Sequence, residues 1–261
     1  MKGPIIVADD FGLCEKHDAI IIDLMYEKKI NAVSVLVHGE LNENRIKELK
    51  LNKNKISVGL HLNLTTPLPK IVKTFSIKRL IISNLFRFTH NNEIKHNLST
   101  QIESFKNIFG EFPDFIDGHQ HIHMLPGILT NLLTLLDNET LPPKFWIRTS
   151  ASQYFIGFLN EYHNSGVKSL IINVLSWVAR KRIIKKSLIT NRDFTGFFNL
   201  KAETRKFKCQ YKMMLKNLHS NQLVMVHPGS SDSKVELPGH SNKLRSLEAK
   251  ILKESTVNLI D

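Results

Sequence analysis

Acidic and histidine side chains stand at the ends of several apolar runs in this sequence. Each run is rich in β-branched residues, which favours a buried strand. Because the carboxyl ends of parallel strands share one face of a barrel, side chains far apart in the chain would meet in one cup. The residues at these strand ends are Asp9, Asp10, His61, Asp117, His119, His121, His123, Arg148 and His227.

Such a set of side chains can hold a divalent metal ion and activate water. One carboxylate and two neutral imidazoles are a common three-ligand set for Zn²⁺ that leaves a position open for water. A bound metal lowers the pKa of that water from about 15.7 to about 7. A second carboxylate can take the proton, and a histidine further away can protonate the leaving group. The sequence therefore predicts a metal-dependent hydrolase.

Each of these residues also has an interpretation without catalysis. Asp9 and Asp10 could close a turn and cap the helix that follows. His61 taken alone could be a hydrogen-bonded core residue, His227 could shape a turn, and Arg148 could be a surface or ion-paired residue. Their shared position at strand ends favours the catalytic interpretation over these separate ones.

The segment from Asp117 to His123 carries the densest group of candidate ligands. Asp117, His119, His121 and His123 alternate along the chain, so an extended segment would place them on one face. Packing alone explains such an alternation poorly. The spacing does not choose among the three histidines as metal ligands.

Strand-like runs and helical stripes alternate along the chain. The predicted strands are residues 5–8, 32–37, 56–60, 115–117, 145–148, 223–226 and 257–260. Stripes with helical spacing lie at residues 21–28, 98–109, 128–135, 167–178 and 244–251. This alternation predicts an α/β fold. We expect one domain over residues 1–261, a distorted TIM-like (β/α) barrel with elaborated loops at about 66–95 and 165–192.

The charge balance bears on partners. The chain has 36 basic and 24 acidic residues, a net charge of +12. No basic motif of a known nucleic-acid-binding type is found, so we expect no nucleic-acid partner. The basic segment 167–186 has two interpretations, an ordinary helix that faces the core and is solvated on its far side, or a peripheral contact with anionic membrane. Without a signal-peptide pattern or a spanning apolar stretch, the expected location is the cytoplasm, with association at the inner face of the membrane as an option. The oligomeric state stays open, and a homodimer is possible.

Four motifs follow one another along the chain. They are Ala8-Asp9-Asp10-Phe11-Gly12-Leu13, Gly59-Leu60-His61-Leu62-Asn63-Leu64-Thr65, Asp117-Gly118-His119-Gln120-His121-Ile122-His123 and Val226-His227-Pro228-Gly229. In order and spacing they resemble the YdjC-like carbohydrate deacetylases, which include chitooligosaccharide deacetylases and hopanoid-biosynthesis-associated deacetylases. The resemblance runs over the whole chain.

The resemblance implies a distorted TIM-like barrel that removes an N-acetyl group from an amino sugar and gives acetate and a free amine. By motif position, Asp10, His61 and His119 would hold the metal, Zn²⁺ or Mg²⁺. Asp9 would be the general base, and His227 is a candidate general acid.

Three further positions follow from the same resemblance. His121 and His123 would be substrate groups or supports of the metal ligands, and Arg148 would contact the substrate. The segment from Val167 to Lys186, followed by Asp193 to Phe197, resembles the hopanoid-associated or lipid-linked branch more than the chitooligosaccharide one. The substrate could therefore be an oligosaccharide or a lipid-linked glycan.

Two other functions compete with deacetylation. The same cup could hydrolyse another bond, such as a phosphoester, with the same metal. Alternatively, the chain could be a peripheral membrane-binding module that uses the basic segment 167–186. A glycosidase fits less well, because its two carboxylates must flank the bond about 5–9.5 Å apart, and Asp9 and Asp10 are neighbours in the chain.

Overall fold

A computed structural model describes residues 3–70, 73–85, 91–152, 167–196, 204–237, 240–257 and 259 of the chain. The strands are β1 (Ile5–Phe11), β2 (Ala32–Val35), β3 (Ser57–Leu62), β4 (Phe115–Gly118), β5 (Trp146–Ile147), β6 (Asp193–Thr195) and β7 (Gln222–Val226). The helices are α1 (Glu15–Tyr26), α2 (Glu43–Leu51), α3 (Ile77–Leu85), α4 (Asn91–Phe109), α5 (Pro126–Leu136), α6 (Val167–Lys185), α7 (Thr204–Lys216) and α8 (Asn242–Glu254). A short 3₁₀ segment, His119–Met124, joins β4 to α5.

The seven strands form one sheet in the order β5-β4-β3-β2-β1-β7-β6, and every neighbouring pair is parallel. The first strand therefore lies between β2 and β7, although β7 comes near the end of the chain. All seven carboxyl ends point to the same edge, as in a barrel. This arrangement confirms the predicted α/β fold with a distorted barrel.

The two edges of the sheet are brought near each other by the segment that leads into β6. Ile189 forms an isolated parallel bridge with Trp146, and the Ile147 amide donates to the Ile189 carbonyl over 2.9 Å. Further along, Asn191 accepts a hydrogen bond from the Thr149 amide over 2.8 Å. The chain thus passes along β5 before it pairs with β7 as β6, which curves the sheet into its incomplete barrel.

Burial of apolar side chains accounts for the elements around the sheet. Every residue of β1 is buried, as expected for a parallel strand covered on both faces. On α4, Leu98, Ile102 and Phe105 are buried at helical spacing, as the sequence predicts. The helix ends before Gly110, whose φ of 81° is a left-handed conformation that glycine adopts without strain.

The structure corrects one predicted strand and adds another. The predicted strand over residues 257–260 is wrong where it is described, because Val257 and Leu259 lie outside the sheet and pack against the core from one side. The added strand is β6. Its three residues, Asp193–Thr195, are too few and too polar to show the apolar pattern from which a strand is predicted.

The two segments expected to be elaborated loops contain helices. The first includes α3 and the beginning of α4, and the second includes α6. Residues 71–72 and 86–90 of the first segment, and 165–166 of the second, lie outside the described residues. Among the described helices, none combines the length and apolar character that crossing a bilayer requires.

Candidate active site

The strand-end residues converge at the carboxyl edge of the sheet, as predicted. Asp9 and Asp10 come from β1 and His61 from β3. Arg148 directly follows β5, and His227 directly follows β7. All five side chains are buried, which gathers an uncommon density of ionisable groups in one place.

A backbone irregularity lets two consecutive aspartates enter the same site. Asp10 has a φ of 66°, in the left-handed region, and the pairing of β1 with β2 shifts register between Ala8 and Phe11. Successive strand side chains would otherwise point to opposite faces. Helix α1 begins after Cys14 as its N-cap residue, so neither aspartate caps it. The alternative of a purely structural Asp-Asp turn is therefore not supported by this geometry.

Asp10, His61 and His119 form the first group that could hold a metal ion. Their candidate ligand atoms lie within 4.8 Å of one another. Oδ1 of Asp10 is 3.4 Å from Nε2 of His61 and 3.2 Å from Nδ1 of His119. One carboxylate oxygen thus faces two imidazole nitrogens, which is the donor set of many zinc sites.

The other nitrogen of His61 is held by a carboxylate behind it. Nδ1 of His61 is 2.7 Å from Oδ1 of Asp117, and Ser34 donates to the same oxygen over 2.5 Å. Burial alone would lower the pKa of His61, but the carboxylates of Asp117 and Asp9 outweigh burial and raise that pKa to about 10. Such a carboxylate–histidine pair fixes the ring so that Nε2 points at the metal position.

Asp9 is bound by Arg148 through two parallel hydrogen bonds. Nη1 donates to Oδ1 over 2.7 Å and Nη2 to Oδ2 over 2.8 Å. Nη1 is also 3.1 Å from Oδ2 of Asp117. Burial raises the pKa of Asp9, and the Arg148 guanidinium opposes that rise. These hydrogen bonds hold the Asp9 carboxylate beside the first candidate metal-binding group.

A second group with metal-binding geometry overlaps the first. It consists of Asp9, His61 and Asp117, with ligand atoms also within 4.8 Å. Arg148 engages both oxygens of Asp9, however, and Asp117 is already bonded to His61. In contrast, Oδ1 of Asp10 faces only the two imidazoles. The first group is therefore the better candidate.

The guanidinium group of Arg245, on α8, binds the other carboxylate oxygen of Asp10. Nη2 of Arg245 donates to Oδ2 of Asp10 over 2.5 Å, and both side chains are buried. Burial alone would raise the pKa of Asp10, but the positive charge of Arg245 and the hydrogen bonds of His119 outweigh it and hold that pKa well below its usual value. Asp10 is thus an ionised candidate ligand whose orientation is set by Arg245.

His227 also lies near Asp9. Its Nε2 is 3.9 Å from Oδ2 of Asp9, and its backbone amide donates to Glu248 over 2.5 Å. The ring packs against His240 with centroids 3.8 Å apart. Burial and the neighbouring His240 lower the pKa of His227 well below its usual value.

The histidine cluster after β4 does not share one face, contrary to the expectation of an extended segment. The backbone turns into the 3₁₀ segment, with positive φ at Gln120 and His121. His119 therefore faces Asp10, whereas His121 lies 3.0 Å from the Ser150 hydroxyl. His123 points away, with Nε2 2.9 Å from the carbonyl of Arg148.

Exposure separates the residues at the rim from those behind it. His119 and His227 are each 7% exposed, and His121 is half-buried, so these three side chains keep some contact with solvent and form what we call the rim of the site. His123 and Arg148 are 0% exposed. His121 therefore lies at the rim, whereas His123 and Arg148 are fully buried below it.

Four supporting residues were not assigned a role from the sequence. Asp117 begins the third motif, so the sequence predicts its place at a strand end but not its hydrogen bond to His61. Ser34 is a small polar residue inside an apolar strand, and Arg245 and Glu248 lie on α8 between the apolar positions of its stripe. In a single sequence, a buried arginine on such a helix looks like any surface residue, so only the tertiary contact identifies it.

Comparisons with known proteins agree with the motifs. A family model described as YdjC-like protein matches residues 5–259. A carbohydrate deacetylase of Mus musculus is 27% identical over 137 residues, 48% of this chain and 44% of that protein. A chitooligosaccharide deacetylase of Yersinia pestis (strain Pestoides F) is 30% identical over 145 residues, 53% of this chain and 57% of that protein. The chain thus spans about half the length of the curated relatives it matches.

A solved structure provides a likeness in fold. It comes from Enterococcus faecalis V583 and is described provisionally as a cellobiose-phosphate cleavage protein. It superposes with a TM-score of 0.62 at 19% identity, covering 97% of this chain and 90% of that chain. Because the family model extends over nearly the whole chain and includes every strand-end motif, the chain belongs to the family of YdjC-like proteins.

Proposed function

We propose that this chain is a metal-dependent hydrolase that removes an N-acetyl group from an amino sugar, with acetate and a free amine as products. The observation that carries the proposal is the buried group of Asp10, His61 and His119 beside a second, separately held carboxylate, Asp9. The relatives named carbohydrate deacetylase and chitooligosaccharide deacetylase support it. Amide hydrolysis needs both an activated water and a proton for the amine, and the cup offers groups for each.

The first metal-binding group fits a divalent ion, and its donors favour Zn²⁺ over Mg²⁺. Imidazole nitrogens suit zinc and other transition metals, whereas Mg²⁺ prefers an octahedral shell of oxygens. When bound, the ion would polarise the acetyl carbonyl and lower the pKa of a water molecule. His61 contributes Nε2 because Asp117 holds its Nδ1.

Asp9 is the proposed general base. Its pKa is raised by burial, so it can take a proton more readily than an ordinary aspartate. The fork of Arg148 fixes both oxygens, and its positive charge opposes the rise in the pKa of Asp9. We therefore assign Arg148 a positioning role, since a side chain with no exposed surface reaches a substrate only after rearrangement.

His227 is the proposed general acid. With its lowered pKa the ring is neutral at neutral pH, so it must first receive a proton. Oδ2 of Asp9 lies 3.9 Å away, which is close enough for the proton taken from water to be passed on after a small movement. His227 would then deliver that proton to the leaving amine.

His121 is the proposed substrate contact at the rim. It is half-buried beside Ser150 and lies edge-on to the Phe194 ring at 6.0 Å. A half-buried imidazole can exchange hydrogen bonds with the hydroxyls at the edge of a sugar ring. His123, which bonds the Arg148 carbonyl, instead supports the backbone that presents Arg148.

Phosphoester hydrolysis on the same cup is less well supported. A transferring phosphoryl group needs free positive charge near its oxygens. Arg148 and Arg245 are both buried and paired with Asp9 and Asp10. Their charges are thus neutralised within the site and do not face a phosphate.

An acetate-release assay tests the proposal. Purified protein loaded with Zn²⁺ or Mg²⁺ is incubated with N-acetylglucosamine oligosaccharides and N-acetylglucosamine glycolipids, and with generic phosphoesters in parallel. We expect acetate from the acetylated sugars, no phosphate release, and no activity in Asp10→Ala. Phosphate release without acetate, in wild type but not in Asp10→Ala, would favour the phosphoesterase.

The remaining features expected from the sequence stay predictions. They are a single domain, a cytoplasmic location, an oligosaccharide or lipid-linked substrate, a homodimer as one option, and peripheral contact with anionic membrane. The membrane contact has support in the surface of α6, which is both apolar and basic.

A further inference from the structure

Helix α6 exposes a continuous apolar surface. Its exposed side chains are Leu170 (40%), Ile171 (47%), Val174 (56%), Trp177 (37%) and Val178 (48%). They recur at helical spacing, so they line one face over two turns. We call this surface the α6 stripe. Scattered exposed apolar residues are ordinary, but a contiguous group of this size marks an interaction site.

The opposite face of the same helix is already packed. Ala179 and Ile183 are buried in the core, and Ile172 and Leu175 pack against it. The helix is therefore apolar on two sides, whereas a surface helix of a globular protein needs only one apolar face. In the part of the chain that the structure describes, the α6 stripe is thus not used to cover the core.

The charge of the residues around the α6 stripe indicates which kind of partner covers it. Residues 167–186 include six basic residues and no acidic one. Lys181 and Lys185 are exposed and continue the stripe toward the end of the helix, and the Arg180 guanidinium lies 5.3 Å from the Trp177 ring centroid. A second copy of this chain would bring like charges together, which disfavours self-association. An anionic surface with an apolar interior matches both properties.

We propose that α6 docks the protein on an anionic lipid bilayer, with the α6 stripe at the acyl boundary and Lys181 and Lys185 at the head groups. Lysine stems can lie along apolar surface while their ammonium groups reach the phosphates. Each basic residue near such a surface strengthens binding about fivefold. This inference concerns a surface away from the metal-binding group and does not depend on the reaction.

Docking in this way would leave α6 between the membrane and the segments that carry His121 and Ser150. The Ser176 hydroxyl donates to the sulfur of Met124 over 2.9 Å, and the Asn173 side chain accepts from the Ser152 amide over 3.0 Å. Both contacts reach the segments that border His121 and Ser150. The rim of the cup is thus tied to the buried side of the helix whose other side meets the lipid.

Vesicle sedimentation of the full chain tests the proposal. Neutral phosphatidylcholine vesicles are compared with vesicles containing roughly one third phosphatidylglycerol, in low and in high salt. We expect binding to the anionic vesicles that weakens with salt, and at least about tenfold weaker binding in the double variant Lys181→Glu and Lys185→Glu. The matched control is Lys47→Glu with Lys50→Glu, which makes the same charge change on the exposed face of α2.

Two further readouts test the apolar contact. Val174→Asp should abolish binding, whereas Leu51→Asp, at a 70% exposed position on α2, should leave it unchanged. In Trp146→Phe the single remaining tryptophan is Trp177, whose emission should shift to the blue with anionic vesicles. Equal loss in both charge variants, no effect of Val174→Asp, or no shift of Trp177 emission would overturn the proposal. So would a lipid-free dimer in light scattering that Val174→Asp dissociates, because that result assigns the stripe to a second copy.

Discussion

Arg245 and Asp10 join the last helix to the first strand through a buried hydrogen bond of 2.5 Å. The residues are far apart in the chain, and each is about 1% exposed. Because Oδ2 of Asp10 is held from behind, Oδ1 is left facing His61 and His119. This contact therefore helps to set the orientation of Asp10 in the candidate metal site.

Arg245→Met should destabilise the metal-free protein more than the metal-loaded protein. Removing one partner of a buried ion pair costs about 3–5 kcal/mol, because the other charge stays uncompensated. A bound cation would compensate Asp10 in place of the guanidinium, so the loss should shrink. Urea unfolding in chelator and in Zn²⁺ measures both values, with the exposed Arg205→Met as control. Equal losses in both conditions would show that the metal does not contact Asp10.

Arg148→Lys should reduce turnover while metal content is retained. Lysine keeps the positive charge but not the planar fork that binds both oxygens of Asp9. A displaced base can lower the rate about 100-fold. Acetate release and elemental analysis of the same preparation measure the two effects. Loss of metal together with turnover would contradict this prediction and would show that Arg148 also supports the ligands, for example through Asp117.

Alanine variants of the cup should separate ligands from proton-transfer groups. His61→Ala and His119→Ala should purify with little metal, because each removes one of three ligands. Asp9→Ala and His227→Ala should keep their metal and lose activity. Elemental analysis of all four proteins gives the answer, with His96→Ala as a surface control. Metal retention in His119→Ala would refute the proposed ligand set.

Asp117→Asn should weaken metal binding although Asp117 is not in the proposed ligand set. Its carboxylate orients His61, and loss of such an outer partner typically lowers metal affinity about 10–100-fold. Competition with a chromogenic chelator measures the affinity. The control is Asp114→Asn in the loop before β4, where the side chain accepts from the Val58 amide over 2.8 Å. An effect of equal size in the control would mean that Asp117→Asn acts through general destabilisation.

Stability should depend on pH through Asp18, outside the ligand set. Burial raises the pKa of Asp18 from 3.8 to about 8, despite the hydrogen bond from the Gly12 amide. At pH values between these two, the folded protein keeps a proton on Asp18 that the unfolded chain releases. The contribution of Asp18 to the free energy of unfolding is therefore fully present below the unfolded pKa of 3.8 and is lost as the pH rises through the folded pKa of about 8. Relative to Asp18→Asn, the wild type should lose up to about 1.4 kcal/mol of unfolding free energy per pH unit in that window. Parallel stability profiles of the two proteins would contradict the shift.

Much of the fold could be predicted because its signals are local. Six of the seven strands were predicted from apolar runs, and the stripe of Leu98, Ile102 and Phe105 predicted α4. The sequence missed β6, where three residues are too few for a period. It also misplaced a strand at residues 257–260, where apolar residues reach the core without joining the sheet.

The sequence by itself determined which side chains gather at the carboxyl ends of the strands, because parallel strands share that edge and the motifs sit at their tips. Only the tertiary structure decided how those side chains are arranged. The left-handed backbone conformation of Asp10 allows the side chains of two adjacent aspartates to enter one site. The turn at Gln120 and His121 directs three histidines that alternate in sequence to different places. Arg148 pairs with Asp9, and Arg245 pairs with Asp10, through contacts between segments that are distant in the chain. Such pairs depend on three-dimensional position, which the spacing of residues along the chain does not encode.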